Sequence, residues 1–102
     1  MAAADMTQLT PTVEHSTDPG RFACRVEGQL CRADYHLIDG VMWLTHTEVP
    51  PALEGRGIAA QLVKAALEHA RAQGLRVKPA CSYVRVYLKR HPEYQDLLAT
   101  GD

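Results

Sequence analysis

The stretch Leu53-Glu54-Gly55-Arg56-Gly57-Ile58-Ala59-Ala60 joins a strand-like segment to a helical one. The helix begins here without the Ser, Thr, Asp or Asn that caps most helices. Its two glycines and two alanines let an external group approach the backbone closely. Free N–H groups at the positive end of a helix bind anions, and phosphate is the usual occupant. The stretch therefore predicts an anion site, with a glycine-capped helix end solvated by water as the alternative.

The chain after this stretch has a helical period and then a short apolar strand. Between residues 57 and 73 the apolar side chains form one stripe of a helix, and Gly74 is typical of the residue that ends one. Residues 75–80 predict a fourth strand, which a right-handed βαβ crossover places beside the third. Ser82 can cap a last helix over residues 83–90, and a final helical turn starts at Pro92.

The chain before the stretch predicts an antiparallel meander. Residues 1–17 show no sustained period and are expected to form a flexible tail, which leaves residues 18–102 as a single domain. Three strands follow over residues 22–26, 30–38 and 41–49. Gly28-Gln29 and Asp39-Gly40 are the two-residue hairpin loops expected between them.

The two loops predict a register. They place Val26 opposite Cys31, Cys24 opposite Ala33 and Phe22 opposite Tyr35. In the second hairpin they place Leu37 opposite Met42, Tyr35 opposite Leu44 and Ala33 opposite His46. One apolar core face results, and His46 and Glu48 are expected to continue it beyond its apolar part.

Bulk composition excludes several classes of protein. The chain has 102 residues, 46% of them hydrophobic, which suits one globular domain. With 11 Lys and Arg against 12 Asp and Glu, no general field attracts nucleic acid or anionic lipid. Three cysteines without a CxxC pair indicate neither a metal site nor a disulfide framework, and they favour a reduced, cytoplasmic setting. We see no signal peptide and no membrane-spanning run.

Four short motifs resemble the GCN5-related N-acetyltransferases, and above all their short single-domain members (YjdJ-like and NATD1-like). Gly57-Ile58-Ala59 supplies the G-x-A of the Q/R-x-x-G-x-G/A signature. The hallmark runs of the short members resemble residues 46–50 (HTEVP), 54–59 (EGRGIA), 81–84 (CSYV) and 91–94 (HPEY). The resemblance covers about residues 13–98. It implies an α+β fold of the three-layer α/β type, a minimal acetyltransferase fold with an antiparallel meander, a βαβ crossover and a C-terminal helix.

The resemblance also implies that acetyl-CoA is the ligand of the anion site. The strand before the turn is expected to splay from its neighbour, and the pantetheine arm then lies in the gap. The residues implied to bind coenzyme A are Val49, Gly55, Arg56, Gly57, Ile58 and Ala59. Glu54 departs from the signature, where Gln or Arg is usual, and its carboxylate is expected to point away or to pair with Arg56.

Acyl transfer needs a base for the acceptor or a nucleophile that takes the acyl group first. His46 suits the base, and Cys81, which precedes a helix, suits a thiolate nucleophile. The resemblance implies that these two residues form the active-site pair. The predicted third and fourth strands are neighbours, so His46 and Cys81 are expected to face one another across a cleft. A structural histidine and an inert or pocket-lining thiol are the alternatives, and Glu48 is the alternative base. Metal ligands are not expected.

The tyrosines of the last helix are candidates for the acid that protonates the leaving thiolate. Tyr87 is the nearest equivalent to the tyrosine that larger acetyltransferases use, and Tyr83 is the second choice; both also suit packing roles. Lys89 and Arg90 can contact the nucleotide phosphates or form a solvated helix end.

The sequence thus predicts an acetyl-CoA-binding N-acetyltransferase that transfers acetyl to an amine. The chain lacks room for the two helices that shape the acceptor site in larger relatives, so the open cleft suits a protein or peptide acceptor, or no efficient acceptor at all. A non-catalytic acyl-CoA binding or sensing module is the alternative, and a small protein-interaction domain is a third. A monomer that binds neither nucleic acid nor membrane is expected.

Overall fold

A computed structural model describes residues 12–99 of the chain. The strand and helix periods of the sequence appear as five strands, two α-helices and two 3₁₀ helices. In chain order these are β1 (Glu14–Thr17), β2 (Gly20–Val26), β3 (Gln29–Ile38), β4 (Val41–Glu48), a 3₁₀ helix (Pro51–Leu53), α1 (Ile58–Gln73), β5 (Arg76–Pro79), α2 (Ser82–Arg90) and a second 3₁₀ helix (Pro92–Leu97).

The strands form one sheet in the order β1-β2-β3-β4-β5. The first four strands pair antiparallel, and β5 pairs parallel with β4 through the α1 crossover. The meander, the crossover and the C-terminal helix are therefore confirmed. Residues 14–17, which the sequence placed in the tail, instead form β1 and pair with β2. The tail prediction for residues 1–11 lies outside the described residues.

The first hairpin turns one residue earlier than the sequence predicted. Its loop is Glu27-Gly28, with φ of 53° and 76°, and Val26 therefore pairs with Gln29 and Cys24 with Cys31. Positive φ at both central residues is the type I′ geometry that suits the twist of a hairpin. The register differs from the predicted one by two residues. Since side chains alternate with a period of two, the predicted core face survives the error.

The second hairpin begins as predicted and then departs at a β-bulge. Leu37 pairs with Met42 and Tyr35 with Leu44, but the next pair is Asp34 with His46. Thr45 is thus an extra residue in β4, and the bulge reverses which side chains face the core. The prediction that His46 and Glu48 continue the core face, with Ala33 opposite His46, is wrong. Both side chains lie on the outer face, and Thr47 pairs with Ala33.

Both helices bury their apolar stripes in one core with the inner face of the sheet. From the strands this core takes Phe22, Cys24, Cys31, Ala33, Tyr35, Met42, Leu44 and Val77. From the helices it takes Ile58, Leu62, Val63, Ala66, Leu67, Ala70, Val84, Tyr87 and Leu88. Burying one such aliphatic or aromatic side chain contributes about 1.5–3 kcal/mol. The mixed α/β fold class is confirmed, with a five-stranded sheet and helices packed in one core with it.

The opposite face of the sheet carries polar and partly exposed side chains. Arg32 and Asp34 of β3 lie there, as do Trp43 and His46 of β4. No helix within residues 12–99 is long and apolar enough to cross a membrane.

Candidate active site

A pocket lies where β4 and β5 diverge. Their pairing ends at Leu44 opposite Pro79, where the carbonyl oxygen of Leu44 accepts hydrogen bonds from the N–H groups of Ala80 and Cys81, both at 3.0 Å. Beyond this point β4 continues without β5 and leaves a pocket of about 500 Å³. The pocket is lined by Thr47, Glu48, Val49, Leu53, Glu54, Gly55, Gly57, Ile58, Ala59 and Tyr83.

The start of α1 forms one wall of the pocket. Gly57 is the N-cap residue, with a φ of 77°, and no side chain caps the helix. Gly55 has a φ of 87°, so two left-handed residues bend the chain into the helix. Ile58 is buried in the core and also lines the pocket. The uncapped N–H groups, together with Gly55, Gly57 and Ala59 on this wall, suit a narrow anionic group.

The charged residues of this turn are arranged differently from the prediction. Arg56 does not line the pocket, because its Nη1 donates a 2.8 Å hydrogen bond to Oε2 of Glu27 in the first hairpin loop. Glu54 does line the pocket, and its expected pairing with Arg56 is wrong. The Glu54 carboxylate therefore lies at the predicted anion site, while the Arg56 guanidinium is bound by the carboxylate of Glu27.

Cys81 is the N-cap residue of α2 and is half-buried. It does not line the pocket itself, but Thr47, which does, contacts its sulfur. The Oγ1 atom of Thr47 is 3.5 Å from the Cys81 sulfur. Burial disfavours the thiolate, but the Thr47 hydroxyl and the backbone N–H groups of Val84, Tyr83 and Thr47 outweigh it and lower the pKa of Cys81. Cys24 shows the opposite behaviour: burial, together with the nearby Cys31, raises its pKa to about 11.

His46 meets Glu48, not Cys81, in the structure. Its Nε2 lies 3.4 Å from Oε1 of Glu48, which also accepts a 2.7 Å hydrogen bond from Nη2 of Arg32. Arg32 in turn contacts Asp34. The predicted face-to-face placement of His46 and Cys81 is wrong, since the bulge turns His46 to the outer face while Thr47 faces the thiol.

Glu48 is poorly suited to act as the base. The hydrogen bonds from Arg32 and then from His46 are the main reasons that its pKa lies below the usual range. A carboxylate stabilised in this way binds a proton less readily.

A model of the family described as GCN5-related N-acetyl-transferase matches residues 21–97, which contain every element of this site. The chain belongs to the GCN5-related N-acetyltransferase family. Protein NATD1 of Mus musculus is 39% identical over 83 residues, which are 78% of this chain and 76% of that protein. Protein NATD1 of Xenopus tropicalis is 37% identical over 99 residues, 90% of this chain and 91% of that protein.

The fold of this acetyltransferase-family chain is similar to that of a solved structure. The NMR solution structure of a GCN5-like protein from Staphylococcus aureus superposes with a TM-score of 0.67. It is 24% identical, and the match covers 91% of this chain and 92% of that one.

The two candidate tyrosines differ in position. Tyr83, at the first turn of α2, lines the pocket, and burial raises its pKa although Arg90 partly opposes the shift. Tyr87 is buried in the core and stacks on the ring of His91 with centroids 4.0 Å apart. Burial is also the main cause that raises the pKa of Tyr87. Lys89 and Arg90 are exposed in the last turn of α2 and do not line the pocket.

Two residues of the site were missed at the level of sequence. Thr47 contacts the thiol, and Arg32 holds Glu48. The alternation of β4 assigned Thr47 to the outer face, and only knowledge of the bulge at Thr45 corrects it. The cross-strand position of Arg32 opposite Glu48 likewise depends on that bulge.

Proposed function

We propose that this chain is an acetyl-CoA-dependent N-acetyltransferase that acetylates an amine. The observation that carries the proposal is that one pocket extends from the uncapped start of α1 to Thr47, whose hydroxyl lies 3.5 Å from the Cys81 sulfur. The first end suits a phosphate, and the second lies beside Cys81, whose pKa is lowered. An acyl thioester with a diphosphate arm carries a matching group at each end. The diphosphate matches the start of α1, and the thioester matches the position of Cys81.

The backbone and small residues of the pocket suit that donor, whereas the Glu54 carboxylate on the same wall opposes an anionic group. The pyrophosphate would bind the N–H groups that open α1, with Gly55, Gly57 and Ala59 leaving room for it. The pantetheine arm would run along the edge of β4 at Thr47–Val49, which β5 no longer covers. Val49, implied by the resemblance as a backbone contact, is half-buried on this wall. The acetyl group would then lie beside Cys81.

Cys81 is proposed as the nucleophile of the first step. Its thiolate attacks the carbonyl carbon of the thioester, a bond forms from that carbon to the Cys81 sulfur, and the bond to the coenzyme A sulfur breaks. The electron pair leaves with the coenzyme A sulfur. Tyr83 is a neutral phenol at neutral pH and lines the pocket, so it is the better placed of the two tyrosines to give that sulfur a proton.

His46 is proposed as the base of the second step. Because its Nε2 faces Glu48, its Nδ1 is the nitrogen free to accept a proton. A neutral amine attacks the acetyl carbonyl, the Cys81 thiolate leaves, and the proton lost from the amine passes to His46. The pocket wall includes both Thr47 and Glu48, which lie on opposite faces, so the donor and the amine can enter from different sides.

The acceptor is proposed to be an amine on a protein or peptide. The outer face beside His46 is not covered by a helix within the described residues, which leaves space for a large acceptor. The three cysteines within the described residues are free thiols, and the proposed chemistry needs Cys81 reduced. A reducing compartment such as the cytoplasm is therefore the proposed location.

Mass spectrometry of the chain after incubation with acetyl-CoA tests the proposal. We expect an acetyl group on the peptide that contains Cys81, its loss in Cys81→Ala, and its discharge when an amine is added. Cys24→Ala is the control, since that thiol is buried and its pKa is raised. Amine acetylation that persists in Cys81→Ala would overturn the covalent route in favour of direct attack.

Binding alone is measured separately by thermal unfolding. Acetyl-CoA at 100 times its Kd stabilises a specific site by about 2.7 kcal/mol. Stabilisation with no transfer in the wild type would overturn the enzyme proposal and support a non-catalytic acyl-CoA binding or sensing module. Absence of stabilisation would overturn both.

A further inference from the structure

Thr47 occupies a position that the bulge in β4 creates. In the pairing of β3 with β4, Tyr35 lies opposite Leu44 and Ala33 lies opposite Thr47, so β4 contains one extra residue between these two pairs. Since Ala33 is fully buried, its partner Thr47 also faces the inner side. Without the bulge, His46 would face inward here and Thr47 would face out. The bulge thus brings a hydroxyl, in place of an imidazole, to the inner face of the pocket edge.

Residues on either side of the bulge contact Cys81, one at its backbone and the other at its sulfur. On the near side, the Leu44 carbonyl accepts the Cys81 backbone N–H at 3.0 Å. On the far side, the Thr47 hydroxyl lies 3.5 Å from the Cys81 sulfur, and Thr47 itself lines the pocket. Backbone and sulfur are therefore tied to the same short segment of β4.

We propose that Thr47 is a positioning residue for Cys81: its hydroxyl donates a hydrogen bond to the sulfur and fixes the thiolate against the pocket. A thiolate has no proton to donate, so Thr47 is the donor in the ionised pair. The backbone N–H of Thr47 acts on the same sulfur. This assignment extends the proposed function, because the thiolate it fixes is the proposed nucleophile.

The role applies to both proposed steps. In the first step the hydrogen bond favours the ionised sulfur before attack, and it weakens as that sulfur becomes a thioester. In the second step the sulfur leaves as a thiolate, and the same hydroxyl stabilises the developing charge. Thr47 exchanges no proton in this sequence, so it acts through Cys81 rather than on the substrate.

Alkylation of Cys81 by iodoacetamide across a pH series tests the assignment without acetyl-CoA. The rate follows the thiolate fraction, and peptide mass spectrometry separates Cys81 from the buried Cys24 and Cys31. Thr47→Val removes the hydroxyl and keeps the branched shape, whereas Thr47→Ser keeps the hydroxyl. At neutral pH we expect alkylation to slow by about 3-fold to 10-fold in Thr47→Val and to stay near the wild-type rate in Thr47→Ser.

The matched pair separates positioning from packing. An unchanged pH profile in Thr47→Val, or an equal loss in Thr47→Ser, would overturn the assignment. Circular dichroism melting checks that each variant is folded, and Thr47→Ala repeats the test if the valine variant is not. Because alkylation needs no acyl donor, a shifted profile in a chain that transfers no acetyl would uphold Thr47 while overturning the proposed function.

Discussion

His46 and Thr47 are consecutive residues whose side chains lie on opposite faces of the sheet. Thr47 meets the Cys81 sulfur on the inner side, and His46 meets Glu48 on the outer side. In the proposed reaction one side holds the acyl group and the other receives the amine. A single bulge thereby lets two adjacent residues serve the two substrates, and this division of roles can be tested.

Substituting His46 should separate the two steps. In His46→Gln we expect acetyl-Cys81 to form at nearly the wild-type rate, while its transfer to an amine slows by about 100-fold to 10,000-fold, the usual contribution of a general base. Rapid-quench mass spectrometry measures both rates. His36→Gln, another exposed histidine of the outer face, is the control. Equal slowing of both steps in His46→Gln would show that His46 does not act on the amine alone.

The start of α1 should be sensitive to a single added methyl group. Gly57 and Gly74 cap opposite ends of α1 with φ of 77° and 70°, and a Cβ at either meets nothing within 4 Å. Each Gly→Ala change should therefore cost about 1–2 kcal/mol of folding free energy, because both residues become strained in the left-handed region. Only Gly57→Ala should also weaken acetyl-CoA binding, as followed by calorimetry. Equal binding by the two variants would place the phosphates elsewhere.

The ion pair between Arg56 and Glu27 should compete with the donor. In Glu27→Gln the guanidinium is released from its 2.8 Å contact, and we expect acetyl-CoA affinity to rise by about 2-fold to 5-fold at low salt. The gain should disappear in the Glu27→Gln and Arg56→Gln double variant and shrink as salt is added. An equal gain in the double variant would mean that Arg56 does not reach the phosphates.

Local patterns were sufficient to predict the order of elements. The alternation of β2 and β3 and the apolar stripe of α1 each depend on side-chain burial within one element, so the sequence reports them directly. The preference of glycine for the first central position predicts the first hairpin loop one residue late, because Glu27 takes that position with a φ of 53°. The core face survived because the resulting error in register is even.

The candidate site was less predictable because it depends on contacts between elements. The uncapped glycine turn is local, and it was found. The bulge at Thr45 has no such signature, since Thr suits a strand equally on either face. The contacts of Arg56 with Glu27 and of Arg32 with Glu48 join residues 29 and 16 positions apart, and no local period encodes them.

Stability should fall below neutral pH because of His15. Its Nε2 lies 2.5 Å from the Tyr35 hydroxyl, and its ring lies 4.4 Å from the ring of His69. Burial is the main cause, and repulsion from His69 the second, that lowers the pKa of His15 below 6.5. The unfolded chain therefore protonates His15 at a higher pH than the folded chain does. The stability that neutral His15 contributes is complete above pH 6.5 and is lost as the pH falls. Urea unfolding at several pH values should show this slope flattened in His15→Gln, and an unchanged slope would assign the effect to other groups.

The two tyrosines of α2 should respond in opposite ways to substitution. Tyr83→Phe removes the hydroxyl at the pocket, so we expect turnover to fall with little change in the melting temperature. Tyr87→Ala removes a buried ring that stacks on His91, and it should cost about 3–5 kcal/mol of folding free energy. Tyr87→Phe keeps the ring and should retain both stability and turnover. If Tyr87→Phe instead abolishes turnover while Tyr83→Phe does not, the proton for the leaving thiolate comes from the buried tyrosine, and the pocket must open toward the core during the reaction.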